Sequence, residues 1–166
     1  MARLFFALWP DAAAADALAR LARDLGPRVG GKPVPATKIH LTLAFLGEVA
    51  ERAGAAAVPV AGRAFVISVD CVGAFRGARV AWAGIAQPPA ALVDLQSRLA
   101  AQLRAAGFEL EDRPFVPHLT LARRIAAPLP RVAIAPIGWQ AREVALMRSE
   151  AGTGRYTRLE TWELPG

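Results

Sequence analysis

The 166-residue sequence contains two histidines, and each opens the same tetrapeptide, His40-Leu41-Thr42-Leu43 and His118-Leu119-Thr120-Leu121. In an extended strand side chains alternate between faces, so a histidine and the threonine two residues on share one face while the leucines point the other way. Each copy thus presents an imidazole beside a hydroxyl, anchored by apolar residues behind. Two such surfaces facing each other would hold two imidazoles and two hydroxyls around one small anion. Histidine gains or loses a proton near neutrality, at an unperturbed pKa of about 6.5. On a phosphodiester, a neutral imidazole can take a proton from attacking water while an imidazolium gives one to the departing alkoxide. The threonine hydroxyls can donate hydrogen bonds to the non-bridging oxygens as charge moves onto them. Acid and base need opposite protonation, so a bell-shaped pH profile is expected.

A single such tetrapeptide is ordinary strand sequence, and its histidine is more often structural than catalytic. Two identical copies that use both histidines of the chain reverse that reading. Two histidines, one cysteine and no close acidic cluster do not make a zinc or two-metal site, so no metal or cofactor is expected.

The elements that must position these groups can be read from pattern. Arg3–Trp9 is a β-rich apolar run and is expected to be a buried strand. Pro10-Asp11 opens a helix to about Leu25, with Asp11 as cap or first-turn acid and Leu18, Leu21 and Leu25 at helical spacing. Gly26–Thr37 is a Gly/Pro-rich loop. Lys38–Leu46 is the first motif strand, closed by Gly47. The alanine-rich stretch Glu48–Gly62 is a short helix at most. Phe65–Val72 is a strand, 73–77 a turn and Arg79–Ile85 another strand. Pro88-Pro89 starts a helix ending near Ala106, with Leu92, Leu95, Leu99 and Leu103 on its apolar face and Gly107 as its C-terminal cap. Phe108–Pro117 links it to the second motif strand. Two more strands follow, at Glu143–Arg148 and Tyr156–Leu164, around a turn at Gly152–Gly154.

The two halves match. Strand, helix, loop and motif occur twice, with 37 positions from Arg3 to His40 and 39 from Arg79 to His118. One duplication gives a two-lobed single domain over residues 1–166, not a solenoid. The expected fold class is α+β: a bilobal, pseudo-two-fold duplicated unit with two antiparallel sheets facing a central cleft and helices outside. Such a chain builds a two-sided cleft by itself, so a monomer is expected.

Composition sets outer bounds. The chain is 54% hydrophobic and 20% charged, as globular proteins are. Its net charge of +6, carried almost wholly by arginine, favours phosphate-bearing partners such as nucleic acid. The lone Cys71, in an apolar run, reads as a buried thiol in a reducing compartment. The N-terminal MARLFFALW imitates a signal peptide, but Pro10-Asp11 ends its apolar core too early. No stretch is long enough to span a bilayer, and the expected location is the cytoplasm.

HLTLAFLG near residue 40 and F-x-P-H-L-T-L-A-R near residue 118 resemble the paired H-x-T-x motifs of the two-histidine (2H) phosphoesterases. Within them the chain is similar, almost end to end, to the RNA 2′,3′-cyclic phosphodiesterase, or 2′-5′ RNA ligase-like, branch. The opening R-L-F-F-A-L and the closing R-S-E…Y-x-x-L-x-x-W-x-L fit as well. The resemblance implies a bilobal α+β fold and metal-free hydrolysis of a terminal RNA 2′,3′-cyclic phosphate to a 2′-phosphate, with reverse 2′-5′ ligation through the same site. It implies that His40 is the proton donor to the leaving 3′ oxygen and His118 the proton acceptor from water. Thr42 and Thr120 would bind phosphate oxygens. The approximate two-fold makes the two histidines near-equivalent, so the pair is better defined than the division of labour.

Arg123 matches an arginine that the family uses near the phosphate or nucleotide. Strict alternation puts it on the face opposite His118 and puts Arg124 on the same face, unless a bulge or strand end follows Ala122. Lys38 shares the parity of His40. Phe5, Phe75, Phe115, Trp82 and Tyr156 are candidates for stacking on a base. Competing readings are a phosphodiesterase for small cyclic nucleotides or 2′-5′ oligonucleotides, and a non-catalytic module binding RNA ends. Pure binding would favour arginine or lysine over titratable histidine at both centres.

Overall fold

The computed structural model describes residues 2–49, 53–56 and 58–166. The first apolar run is strand β1 (Ala2–Leu8). Asp11 accepts a hydrogen bond from the Ala14 amide at 2.8 Å and so caps helix α1 (Ala12–Arg28), which buries Leu18, Ala22 and Leu25. The helix outruns its expected end by three residues and contains Pro27. The following loop holds a two-residue strand, β2 (Lys32–Pro33), and a single 3₁₀ turn, Ala36–Lys38. Strand β3 (Leu41–Val49) therefore begins after His40 rather than at Lys38, and it runs through Gly47, whose φ is 68°. Helix α2 (Ala53–Ala56) is the short helix expected in this stretch, of which positions 50–52 and 57 lie outside the described residues.

Strand β4 (Phe65–Phe75) continues three residues into the expected turn, and β5 (Val80–Gly84) returns beside it. Helix α3 (Ala90–Ala105) buries Leu92, Leu95, Leu99 and Leu103 on its apolar face. After it come β6 (His118–Arg123), β7 (Val132–Ala141), β8 (Glu143–Ser149) and β9 (Tyr156–Glu163). Strand β7 has no counterpart in the sequence reading, because Pro136 and Gly138 disguise it. It lies at the end of the strand order, where an unpaired backbone flank tolerates proline, and its register against β4 shifts between Val69 and Cys71.

Two separate sheets were expected, and that expectation is corrected. The strands form one nine-stranded sheet in the order β7-β4-β5-β6-β3-β1-β8-β9, with β2 on β6. The two motif strands do not face each other across empty space. They meet side by side and antiparallel through the pair Leu41↔Leu119, which fuses the two halves into one ladder. Outward from this junction come β5 and β4 on one side and β1 and β8 on the other.

The leucines of both motifs, Leu41, Leu43, Leu119 and Leu121, are buried in one core with the apolar faces of α1 and α3. The helices cross over: α1 packs on β2, β6 and β7, and α3 on β3 and β4. Each helix thus follows a strand of one half and reaches across to a motif strand of the other, α1 to β6 and α3 to β3. The result is a mixed α/β fold with helices on the leucine face and the histidine–threonine face left open. No helix among the described residues is long and apolar enough to cross a membrane.

Candidate active site

The Leu41↔Leu119 pair sets the site's geometry. Extending that antiparallel register by one residue each way puts His40 opposite Thr120 and Thr42 opposite His118. Each imidazole therefore neighbours the other motif's hydroxyl, and the two motifs interlock. Thr42, His118, Thr120 and Arg123 line one cleft of about 890 Å³. His40 is close enough to Arg123 and His118 for both to act on it electrostatically.

Both rings are held the same way. Nδ1 of His40 bonds to the Lys38 carbonyl at 2.8 Å, and Nδ1 of His118 to the Val116 carbonyl at 2.7 Å. A carbonyl oxygen only accepts, so Nδ1 carries the proton in each case and Nε2 is the nitrogen left for chemistry. The surroundings of the two rings differ. His40 packs among Phe5 (ring centroids 5.0 Å apart), Trp9 (4.9 Å) and Tyr156 (5.5 Å). Burial lowers its pKa from 6.5 to about 4, opposed by the hydrogen bond to Lys38 and reinforced by the charges of Arg123 and His118. In the free protein His40 is therefore neutral at pH 7. His118 is more open and meets the edge of Phe75 at 4.9 Å.

Beneath this side lies Trp82, 5.6 Å from Phe75. Its indole lies over Gly73 and Gly84, where a Cβ would come within 2.5 and 2.6 Å of the ring. Those glycines let a large flat side chain lie against the sheet next to the second motif.

The parity problem at Arg123 is resolved by a bulge, one step earlier in the strand than expected. Ala81 pairs with Ala122 but Trp82 with Thr120, so Leu121 is an extra residue. Leu121 and Ala122 both point into the core, and Arg123 emerges on the His118 side. Arg124 then leaves the strand at φ 58°, held from the neighbouring turn by Arg79, whose Nε donates to the Ile125 carbonyl at 3.0 Å. The first motif carries the same bulge. Phe6 pairs with Ala44 but Ala7 with Thr42, so Leu43 and Ala44 both turn inward. Phe45, five residues after His40, then emerges on the open face just as Arg123 does five residues after His118. Alternation alone assigns Phe45 to the core and so misses it; the repeat of L-A after each H-L-T was the signal available.

The structure brings Lys38 and the candidate stacking aromatics to this region. Phe5 and Tyr156 pack on His40, Phe75 packs on His118 with Trp82 behind it, and Phe115 lines the cleft. Lys38 supplies its carbonyl to His40 and sets its ammonium 5.5 Å from the Tyr156 ring centre. Trp9, beside His40, was not singled out. Cys71 is free and buried. Among the described residues no three His, Cys, Asp or Glu side chains form a group that could hold a metal ion.

The model of the 2′-5′ RNA ligase superfamily matches residues 9–153. The chain is 36% identical over 172 residues to the RNA 2′,3′-cyclic phosphodiesterase of Escherichia coli K12, covering 98% of this chain and 96% of that protein. It is 35% identical to the RNA 2′,3′-cyclic phosphodiesterase of Thermus thermophilus, covering 99% and 91%. A crystal structure of E. coli LigT complexed with 3′-AMP superposes with a TM-score of 0.83 at 35% identity over 98% of both chains.

Proposed function

This chain belongs to the 2′-5′ RNA ligase superfamily, and on that premise we propose that it hydrolyses 2′,3′-cyclic phosphates at RNA ends to 2′-phosphomonoesters, without a metal ion. The observation that carries the reading is the interlocked pair of motifs. Both imidazoles have Nδ1 tied back to carbonyls; His118 lines one cleft with Thr42, Thr120 and Arg123, and His40 lies near His118 and Arg123. Relatives named for this activity support it along the whole chain.

In the proposed reaction His118 Nε2 takes a proton from water as the water oxygen bonds to phosphorus. The bond from phosphorus to the 3′ oxygen breaks, and His40 Nε2 gives its proton to that oxygen. Thr42, Thr120 and Arg123 bind the non-bridging oxygens, whose charge grows in the transition state. His40 is neutral in the free protein at pH 7. As donor it must gain its proton when the anionic diester arrives, because the substrate's negative charge raises its pKa. The lowered pKa favours a second reading with the roles exchanged, His40 as base and His118 as acid. With a 5′ hydroxyl attacking in place of water, the same steps join the cyclic phosphate end to that hydroxyl as a 2′-5′ linkage and release the 3′ oxygen as a hydroxyl. We further propose that the matching halves arose by internal duplication of one strand–helix–strand unit, and that the chain is a single two-lobed domain. It would act as a monomer in the reducing cytoplasm, where the free Cys71 is at home.

An oligonucleotide ending in a 2′,3′-cyclic phosphate, incubated with EDTA, tests the reaction. The expected product is the 2′-phosphate, lost in His40→Ala and in His118→Ala. Inhibition by EDTA, or no turnover with end-binding that survives both substitutions, would overturn the reading. A substrate with sulfur at the bridging 3′ position separates the roles, since a thiolate leaves without a proton. The variant lacking the acid recovers activity on it, and the variant lacking the base does not.

A further inference from the structure

Lys32 lies outside both motifs, in a stretch that reads in sequence as a Gly/Pro-rich loop. The fold lifts it into the sheet: β2 pairs with β6 so that Lys32 stands opposite Arg123 and Pro33 opposite Ala122. The two residues of β2 point to opposite faces. Pro33 is the inward one, since a Cβ on Gly26 of helix α1 would lie 2.8 Å from its ring. Lys32 therefore projects on the histidine–threonine face, where Arg123 emerges, one strand spacing of roughly 4.8 Å away. Both residues are exposed, and neither makes an ion pair among the described residues. Like charges directly opposite each other destabilise a strand pair. Two unneutralised cations at the end of the second motif strand thus form a place for anions rather than a structural contact.

From this pair, and resting on the reaction proposed above, we infer that Lys32 binds the phosphodiester preceding the terminal cyclic phosphate. The reacting diester carries one negative charge, and Arg123 with a protonated imidazole already meets it. Lys32 is left for a second anion beside the first. A 3′-terminal cyclic phosphate leaves the RNA one way out, through the 5′ oxygen of its ribose. The next anion along the chain is therefore the preceding phosphodiester. An ammonium is a point charge on a flexible stem, suited to a phosphate whose orientation varies from one RNA to the next. A phosphate contact reads no base, so the preference is for a longer end of any sequence. Such a contact also displaces counterions, which makes it visible as salt dependence.

The test compares kcat/KM for a dinucleotide ending in a 2′,3′-cyclic phosphate with that for the corresponding nucleoside 2′,3′-cyclic monophosphate, over a range of salt. Lys32→Met is expected to lower the dinucleotide value about tenfold, the worth of one charge-assisted contact, and to leave the monophosphate near wild type. The slope of log kcat/KM against log salt for the dinucleotide should fall in magnitude by about 0.7, the share of one phosphate on a single strand. Lys32→Arg restores both. A dinucleotide with a neutral methylphosphonate linkage loses the same factor in wild type and nothing further in Lys32→Met. Equal slowing of both substrates in Lys32→Met, or slowing of neither, overturns the assignment and leaves the reaction standing. Wild-type turnover of neither substrate overturns the reaction, and the assignment with it.

Discussion

His40 lies across the strand junction from Thr120, because Leu41 and Leu119 pair in antiparallel register at the centre of the sheet. The imidazole of one motif and the hydroxyl of the other are therefore placed across the junction from each other, not only along one strand. Removing either imidazole should lower kcat/KM by at least about 10²–10⁴-fold. Thr42→Val and Thr120→Val should each cost roughly ten- to a hundredfold, the worth of a hydrogen bond to a charged oxygen. In a double-mutant cycle, His40→Ala with Thr120→Val should fall short of the product of the single effects. Full additivity would mean that the two do not act on one phosphate.

The buried ring of His40 makes stability depend on pH. In the unfolded chain it takes up a proton near pH 6.5, but in the folded protein only near pH 4. Between these values the unfolded state binds more protons, so stability rises with pH. The contribution is complete above about pH 6.5 and is lost as pH falls toward 4, to the extent of roughly 3 kcal/mol at most. Urea unfolding at pH 7 and pH 5 should show the loss in wild type and a clearly smaller loss in His40→Gln. Equal losses would mean that the ring is protonated in place.

Arg123 and Arg124 are adjacent but differ in kind. Arg123 emerges into the cleft after the bulge, whereas Arg124 sits at φ 58° where the strand ends. Arg123→Ala should raise KM for the cyclic phosphate by about tenfold or more. Arg124→Gly should keep kcat/KM near wild type and raise stability by up to about 1 kcal/mol, since glycine adopts positive φ freely. Loss of activity in the glycine variant would assign the phosphate contact to the wrong arginine.

Trp82 depends on two missing side chains. Gly73→Ala and Gly84→Ala each put a Cβ within about 2.6 Å of the indole, so the ring must move. Each should lower stability by about 1–3 kcal/mol, the usual cost of overpacking. Gly77, around which a Cβ meets nothing within 4 Å, provides the comparison: Gly77→Ala should leave the melting temperature nearly unchanged. A Gly73→Ala variant as stable as wild type would mean that Trp82 is free to swing away.

Much of this protein is local and so was legible in its sequence. Strand β1, both long helices, the cap at Asp11 and the leucine-in, histidine-out alternation of the two motifs follow from periodicity and capping, which act over a few residues. The repeated tetrapeptide named the candidate site, because two histidines in two identical contexts leave few readings. Strand β7 escaped because its proline and glycine are tolerated only at a sheet edge, and being an edge is a property of the whole sheet. The union of two expected sheets into one rests on a contact between Leu41 and Leu119, 78 positions apart, which no window of sequence contains.

Faces after the bulges were likewise beyond the sequence alone. Alternation has a period of two, so one extra residue in a strand reverses every later side chain, and whether a strand bulges is decided by the partner it pairs with. Hence the chain by itself named the candidate residues for the chemistry. Only the tertiary structure decided that each histidine faces the other motif's threonine, that Arg123 and Phe45 turn into the cleft, and that burial holds His40 neutral. Register, strand partners and desolvation all depend on residues brought together from distant parts of the chain.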